Sequence, residues 1–191
     1  MEENIEKLQF PIGKYRANLE FDFSKTLQDI DTLESFSKKI KESIKGLDKS
    51  DFEKTYREGG MNIAQIIHHW CDTHTYAFLR TKHTLVEDNP NVKMYEVDEF
   101  LSTADSNTLD VKDSLNIIEG IHSKWVGLLR TISEEDFNKT YYHSNRGKNI
   151  FLHEHVGMYA WHTEHHLAHI EIAKKTEKKM YICSTLYNTV P

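Results

Sequence analysis

Four long stretches of this chain repeat apolar residues at the ~3.6-residue spacing of a helix that buries one face. The first runs from about Ser24 to Lys45 and carries Leu27, Ile30, Leu33 (or Phe36), Ile40 and Ile44. The second opens after Gly59-Gly60, where Asn62 is placed to cap the helix and Gln65 to complete a reciprocal capping box. It continues to about Leu85. The third spans roughly Thr108 to Ile132, through Leu115, Ile118, Ile121, Trp125, Leu128 and Leu129. The fourth runs from about Ile150 to Lys175, and the stretch from Val86 to Asp105, with Pro90, reads as a long loop with room for one short helix. Amphipathic helices bury their stripes against one another, so the spacing predicts an all-α fold, an up-down-up-down four-helix bundle. Residues 1–191 are expected to form a single domain with its core over about 10–175. The apolar tail YICSTLYNTVP, at about 180–191, is expected to dock on the bundle or on a partner.

The bulk chemistry narrows the function. A net charge of -6 argues against a nucleic-acid surface, which needs a concentrated basic face. The lysines of KKTEKKM at 174–180 suit the C-terminal end of a helix instead. No apolar run approaches the ~18 residues of a membrane span. The opening MEENIEKLQF lacks the basic and apolar regions of a secretory signal, and Cys71 and Cys183 make no disulfide framework. A cytoplasmic protein acting on a small molecule is the expectation, with neither nucleic acid nor membrane as partner.

Two short segments resemble each other: SDFEKTY at 50–56 and EDFNKTY at 135–141, each following a long helix and preceding another. They read either as convergently capped short helices, with Ser50 and Ser133 as caps, or as a duplicated unit. Duplication would relate the second and fourth helices by a pseudo-two-fold.

The histidines test this. Residues 161–169 read WHTEHHLAH, on a chain with 12 histidines. At ~100° per residue, His69 lies about 120° to one side of the second helix's apolar stripe. His162 lies about 110° to the same side on the fourth helix, and His166 about 70°. His162 and His166 form an i,i+4 pair, the spacing by which one helix offers two imidazoles to one metal, and His69 would complete a set of three. Three neutral nitrogens suit zinc, nickel or iron and leave coordination positions open. The competing readings are a solvated helix face or biased composition.

The other histidines read differently. His169 is either a support behind a ligand or a rival fourth ligand. His165 is a bystander, His74 a hydrogen-bonded core residue, and His68 an exposed one. His153-Glu154-His155 has the wrong spacing for a zincin, and Cys71 reads as a packed thiol. Asp72, Glu154, Glu164 and Glu171 all project away from the His69, His162 and His166 face, so no carboxylate base stands beside it.

These motifs together resemble the YfiT-type metal-dependent hydrolases of the DinB-like superfamily, from about Phe10 to Lys175. The matching pieces are FPIGKY at 10–15, YREGG at 56–60, IIHHW at 66–70, WVGLLRTISEEDF at 125–137 and YAWHTEHHLAHI at 159–170. The resemblance implies a four-helix bundle, a divalent metal (zinc or nickel) on His69, His162 and His166, and a homodimer. It also implies either hydrolysis or, as in some members, S-transfer from bacillithiol or a related low-molecular-weight thiol. Without a carboxylate base, thiol transfer is the preferred expectation; water activation and a non-catalytic metal-binding bundle are the alternatives. Glu164, Met94 and Phe100 depart from the family's pattern outside the ligand set.

Overall fold

The computed structural model describes residues 2–18, 20–93 and 96–176. The expected tail at 180–191 and Met94 therefore lie outside the described residues. Six helices are described: α1 (Glu2–Gln9), α2 (Phe23–Ser43), α3 (Ile63–Val86), α4 (Val97–Leu101), α5 (Lys112–Leu129) and α6 (Leu152–Lys175). The four long ones fall where the apolar stripes placed them, and α4 is the short helix of the loop. The Asp22 side chain caps α2 by accepting from Lys25 N at 3.0 Å. At α3 the capping box is complete: Gln65 N donates to Asn62 Oδ1 at 2.8 Å, and Asn62 N donates to Gln65 Oε1 at 3.0 Å.

The four-helix bundle forms as expected, but its winding is up-down-down-up rather than up-down-up-down. Side-chain pairs give the directions. Lys39 meets Glu164 and Lys174 meets the Ser43 carbonyl, so α2 and α6 run parallel. His68 meets Ser114, His74 meets His122 and Trp125 meets Thr81, so α3 and α5 run parallel. α6 runs against α3, with His162 beside His74 and His155 beside Ala77, and α5 runs against α2, with Glu119 beside Lys41 and Arg130 beside Asp31. The neighbours around the bundle are therefore α2, α6, α3 and α5, and the consecutive helices α2 and α3 face each other across the diagonal. The long connection from Glu87 to Val111 explains the difference: it has the reach to return the chain to the end where α3 began.

That connection also supplies β1 (Asn91–Val92), which pairs in parallel with β2 (Thr140–His143); β2 pairs antiparallel with β3 (Lys148–Phe151). The β2–β3 hairpin turns through Gly147, whose φ of 62° is a left-handed conformation that glycine adopts without strain. The period-2 signal of four-residue strands is too short to be read from sequence; only the buried Tyr141, His143 and Ile150 face inward.

Both resembling segments form 3-10 turns, Asp51–Glu53 and Glu135–Asn138. The capping residues differ from the expectation at the first. Asp48, not Ser50, exchanges hydrogen bonds with Asp51, as Ser133 does with Asp136. Each turn is closed by a salt bridge, Lys54–Asp51 at 2.8 Å and Lys139–Asp136 at 2.9 Å. Each then enters an antiparallel pairing just before a long helix, Thr55 with Asn62 and Thr140 with Phe151.

Two apolar clusters fill the bundle. Phe36, Ile40, Ile63, Ile66, Ile67, Trp70, Ile118 and Ile170 belong to one. Ile30, Leu33, Ala77, Trp125, Leu129, Leu152, Val156 and Tyr159 belong to the other. Along α3 and α5 the division falls at His74 and His122, both buried. Among the described residues no helix is long and apolar enough to cross a membrane. Asn62→Ala removes one half of the α3 capping box and is expected to lower the unfolding free energy by about 1 kcal/mol, measured as a lower urea midpoint at unchanged m-value.

Candidate metal centre

The antiparallel approach of α3 and α6 brings His69 against His162 and His166. One ring nitrogen of each lies within 4.8 Å of the others. His69 Nε2 and His162 Nε2 face each other at 3.1 Å. The rings meet edge to face, with centroids 4.6 Å apart for His162 and His166 and 5.0 Å for His69 and His166. His69 and His166 are buried, 7% and 5% exposed, and His162 is part-buried. Burial lowers the pKa of His69 to about 4 and holds those of His162 and His166 well below the ordinary histidine range. Neighbouring histidines add to this for His162 and His166, and among the described residues no carboxylate opposes it at either.

The residues fit a divalent cation on the chemistry of this donor set. Each ring is neutral and so has a lone pair to give, and two helices rather than one loop fix the distances. Behind His69, the Thr73 hydroxyl lies 3.3 Å from Nδ1. Behind His166 stands His169. The His169 Nε2–H donates to the carbonyls of Leu8 and Gln9, at 3.0 and 3.3 Å, at the end of α1. Its Nδ1 then accepts from His166 Nδ1 at 3.1 Å, leaving Nε2 as the open nitrogen of His166. His169 also stacks on Tyr56, centroid to centroid 3.8 Å. A rival trio, His165, His166 and His169, is equally compact. A neutral His166 has one lone pair and can serve only one of the two sets.

The remaining histidines have structural partners. His74 is fully buried between His122 and His162. His68, expected to be exposed, is 2% exposed. The parallel α5 and the end of the long connection cover that face, and His68 bonds Ser114 Oγ at 2.8 Å and the Thr108 carbonyl at 3.1 Å. His165 stacks on Trp161 at 4.4 Å, and its Nδ1 finds no hydrogen-bond partner among the described residues. His153 bonds the Phe137 carbonyl, and His155 links Tyr141 to the Ala77 carbonyl, so neither belongs to a zincin pair. Burial, helped by Asp72, pushes the Cys71 thiol up to about 11, which makes it a packed, unreactive thiol.

The acids are engaged elsewhere. Glu164 pairs with Lys39 at 2.6 Å, Glu154 with Lys148 at 2.9 Å and Glu171 with Lys174 at 2.8 Å. Asp72 is raised to about 6 by burial and by Asp105.

One residue of this region escaped the sequence reading. His122 sits in α5 at the spacing of Ile118, Trp125 and Leu129, squarely on the buried stripe. A polar residue at a core position of an otherwise regular stripe was the available signal.

A histidine trio between two helices of a diagonally wound four-helix bundle defines the class of structure, and comparison places it. The DinB superfamily profile matches residues 33–170, and the chain belongs to this superfamily. It is 32% identical over 163 residues to YfiT of Bacillus subtilis, covering 85% of this chain and 92% of that protein. It is equally 32% identical over 171 residues to GK0616 of Geobacillus kaustophilus, covering 90% and 96%. Both relatives carry the provisional designation of metal-dependent hydrolase. The solved structure of YfiT superposes with a TM-score of 0.84 at 31% identity, covering 88% of this chain and 97% of that one. It is described as a probable metal-dependent hydrolase with an unusual four-helix bundle topology. A mycothiol-dependent maleylpyruvate isomerase shares the fold at 15% identity and a TM-score of 0.62, over 79% of this chain and 63% of that one.

The buried neutral rings make stability depend on pH. Burial lowers His155 to about 3 and His122 to about 4 in the folded protein. An unfolded histidine titrates at ~6.5, so the unfolded chain binds more protons below that value. Their contribution is thus present above ~6.5 and is lost as pH falls toward the folded values, at roughly 1.4 kcal/mol per pH unit for each ring. His155→Gln is expected to reduce the slope of unfolding free energy between pH 5 and 6 by about 1.4 kcal/mol per pH unit. Urea titrations in chelator measure it.

Proposed function

We propose that this protein is a divalent-metal-dependent enzyme. In this reading His69, His162 and His166 hold zinc or nickel, and a low-molecular-weight thiol is activated for transfer to a small electrophile. The observation that carries the reading is the convergence of three neutral imidazoles within 4.8 Å, in clusters that contain no carboxylate among the described residues. A cation so held supplies Lewis acidity, which lowers the pKa of a thiol that reaches it without help from a side-chain base. Sulfur then forms its bond to the electrophilic carbon, the leaving group departs with the electron pair, and the thiol proton passes to solvent. Hydrolysis of the zincin kind instead calls for a carboxylate positioned to take a proton from water. Glu154, Glu164 and Glu171, the acids of α6 nearest in sequence, are bound to lysines.

Two further points bear on the choice. The mycothiol-dependent isomerase shows that one protein of this fold uses a cellular thiol. The designation of YfiT and GK0616 favours the second reading, hydrolysis of an ester or amide.

Zinc- and nickel-loaded protein, assayed with monochlorobimane and a panel of bacillithiol, mycothiol, glutathione and cysteine, is expected to form a conjugate with at least one thiol. His166→Ala is expected to abolish both conjugation and stoichiometric metal, read by elemental analysis. Ester turnover lost in His69→Ala, with conjugation absent for every thiol, replaces transfer by hydrolysis.

A further inference from the structure

The buried face of the metal-site histidines holds a relay that the function above does not use. A neutral imidazole has one N–H donor and one lone-pair acceptor, so fixing either end of a chain of such rings fixes every ring in it. The Leu33 carbonyl can only accept, and His122 Nδ1 lies 2.9 Å from it, so the His122 proton sits on Nδ1. His122 Nε2 therefore accepts, and the nitrogen 2.7 Å away, His74 Nδ1, must donate. His74 Nε2 in turn accepts from His162 Nδ1, 3.2 Å away. The proton of His162 is then on Nδ1, and its Nε2 lone pair points at the trio, 3.1 Å from His69 Nε2.

We propose that His122 and His74 are positioning residues that transmit the polarity of the Leu33 carbonyl to His162, locking it in the Nδ1–H tautomer that presents Nε2 to a metal. This rests on the proposed metal site and names the residues that prepare it. The relay ends on a backbone carbonyl inside the core, so it has no outlet to solvent and sets orientation rather than carrying protons.

Its packing supports that role. Phe36 lies against both rings, 5.2 Å from His74 and 4.9 Å from His122, while Trp125 and Tyr159 close edge-on around His74 at 6.2 and 5.3 Å. These contacts oppose a turn of either ring that would exchange its nitrogens. On the other ligand of α6, His169 performs the same service from the Leu8 and Gln9 carbonyls. His69 differs, because the Thr73 hydroxyl behind it both donates and accepts and so suits either tautomer. With His162 Nε2 as acceptor, His69 Nε2–H would donate to it; a cation on His69 Nε2 would require the proton on Nδ1, where the Thr73 oxygen could accept it. The relay has a chemical consequence as well. A carboxylate behind a ligand makes the imidazole more basic and offsets the charge of the ion. A histidine relay orients the ligand while remaining neutral, leaving the cation's full charge for the thiol.

The test reads tautomers directly. Long-range proton–nitrogen correlation spectra of full-length, metal-free protein with labelled histidine are expected to show Nδ1–H for His122, His74 and His162. They should show Nε2–H for His69, changing to Nδ1–H on addition of zinc. His122→Leu removes the acceptor for His74 and is expected to weaken zinc binding about 10- to 100-fold in competition with a chelating dye. His122→Gln, which can still donate to Leu33 and accept from His74, is expected to restore most of that loss and the tautomers with it. Nε2–H on His74 or His162 in the metal-free protein overturns the proposal, as does wild-type zinc affinity in a folded His122→Leu. If His122→Leu does not fold, judged by circular dichroism in chelator, the wild-type tautomers alone decide. A wild-type protein with the expected tautomers but no zinc uptake supports the relay and overturns the metal reading, so the two failures are told apart.

Discussion

Buried imidazoles impose a directional constraint that apolar packing does not. A leucine in a core needs volume; a neutral histidine needs one acceptor and one donor in fixed directions, and leaving either unmade costs about 1–3 kcal/mol. Through the middle of this bundle His122, His74 and His162 make three such demands in sequence. They tie α2, α5, α3 and α6 together at one level, between the two apolar clusters. Sliding any helix by a turn, which an all-leucine core could absorb, would break the series. The histidine layer sets the register of the bundle, and the trio at its edge inherits its geometry from that register.

What could be read from the sequence was local. Helix spans follow from stripes of apolar residues, the α3 start from Asn62 and Gln65, and the pairing of His162 with His166 from their spacing on one helix. The placement of His69 opposite them came from comparing angles on two helices, a comparison that needs no knowledge of which helices touch. What could not be read depends on which helices touch. His68 was expected in solvent because its own helix says so; only the parallel course of α5 buries it against Ser114. His122 takes its meaning from the Leu33 carbonyl, on a helix 89 residues away along the chain, and its own helix carries no sign of that partner. α1 matters through the two carbonyls it offers His169, and a backbone group leaves no trace in residue type.

The electrostatic character of the site follows from its neighbours. In many metal centres a carboxylate stands behind a ligand histidine. Here, among the described residues, a hydroxyl and two imidazoles stand behind the three candidate ligands. The acids of α6 are bound to lysines instead, through Glu154, Glu164 and Glu171. Burying neutral rings avoids the desolvation of a charge, several kcal/mol per ion in a low-dielectric interior.

The winding carries a consequence for how such a chain comes to exist and to fold. Because α2 and α3 lie across the diagonal, the first half of the chain offers no helix pair in contact along its length; the same is true of α5 and α6. Each half packs its long helices side by side mainly with those of the other, as two subunits of an intertwined dimer would. The matched 3-10 turns, each followed by a strand-like pairing and a long helix, are what remains visible if one ancestral half was joined to its own copy. Folding then resembles assembly: most of the side-by-side helix packing joins segments far apart in sequence, which slows the search for the native arrangement.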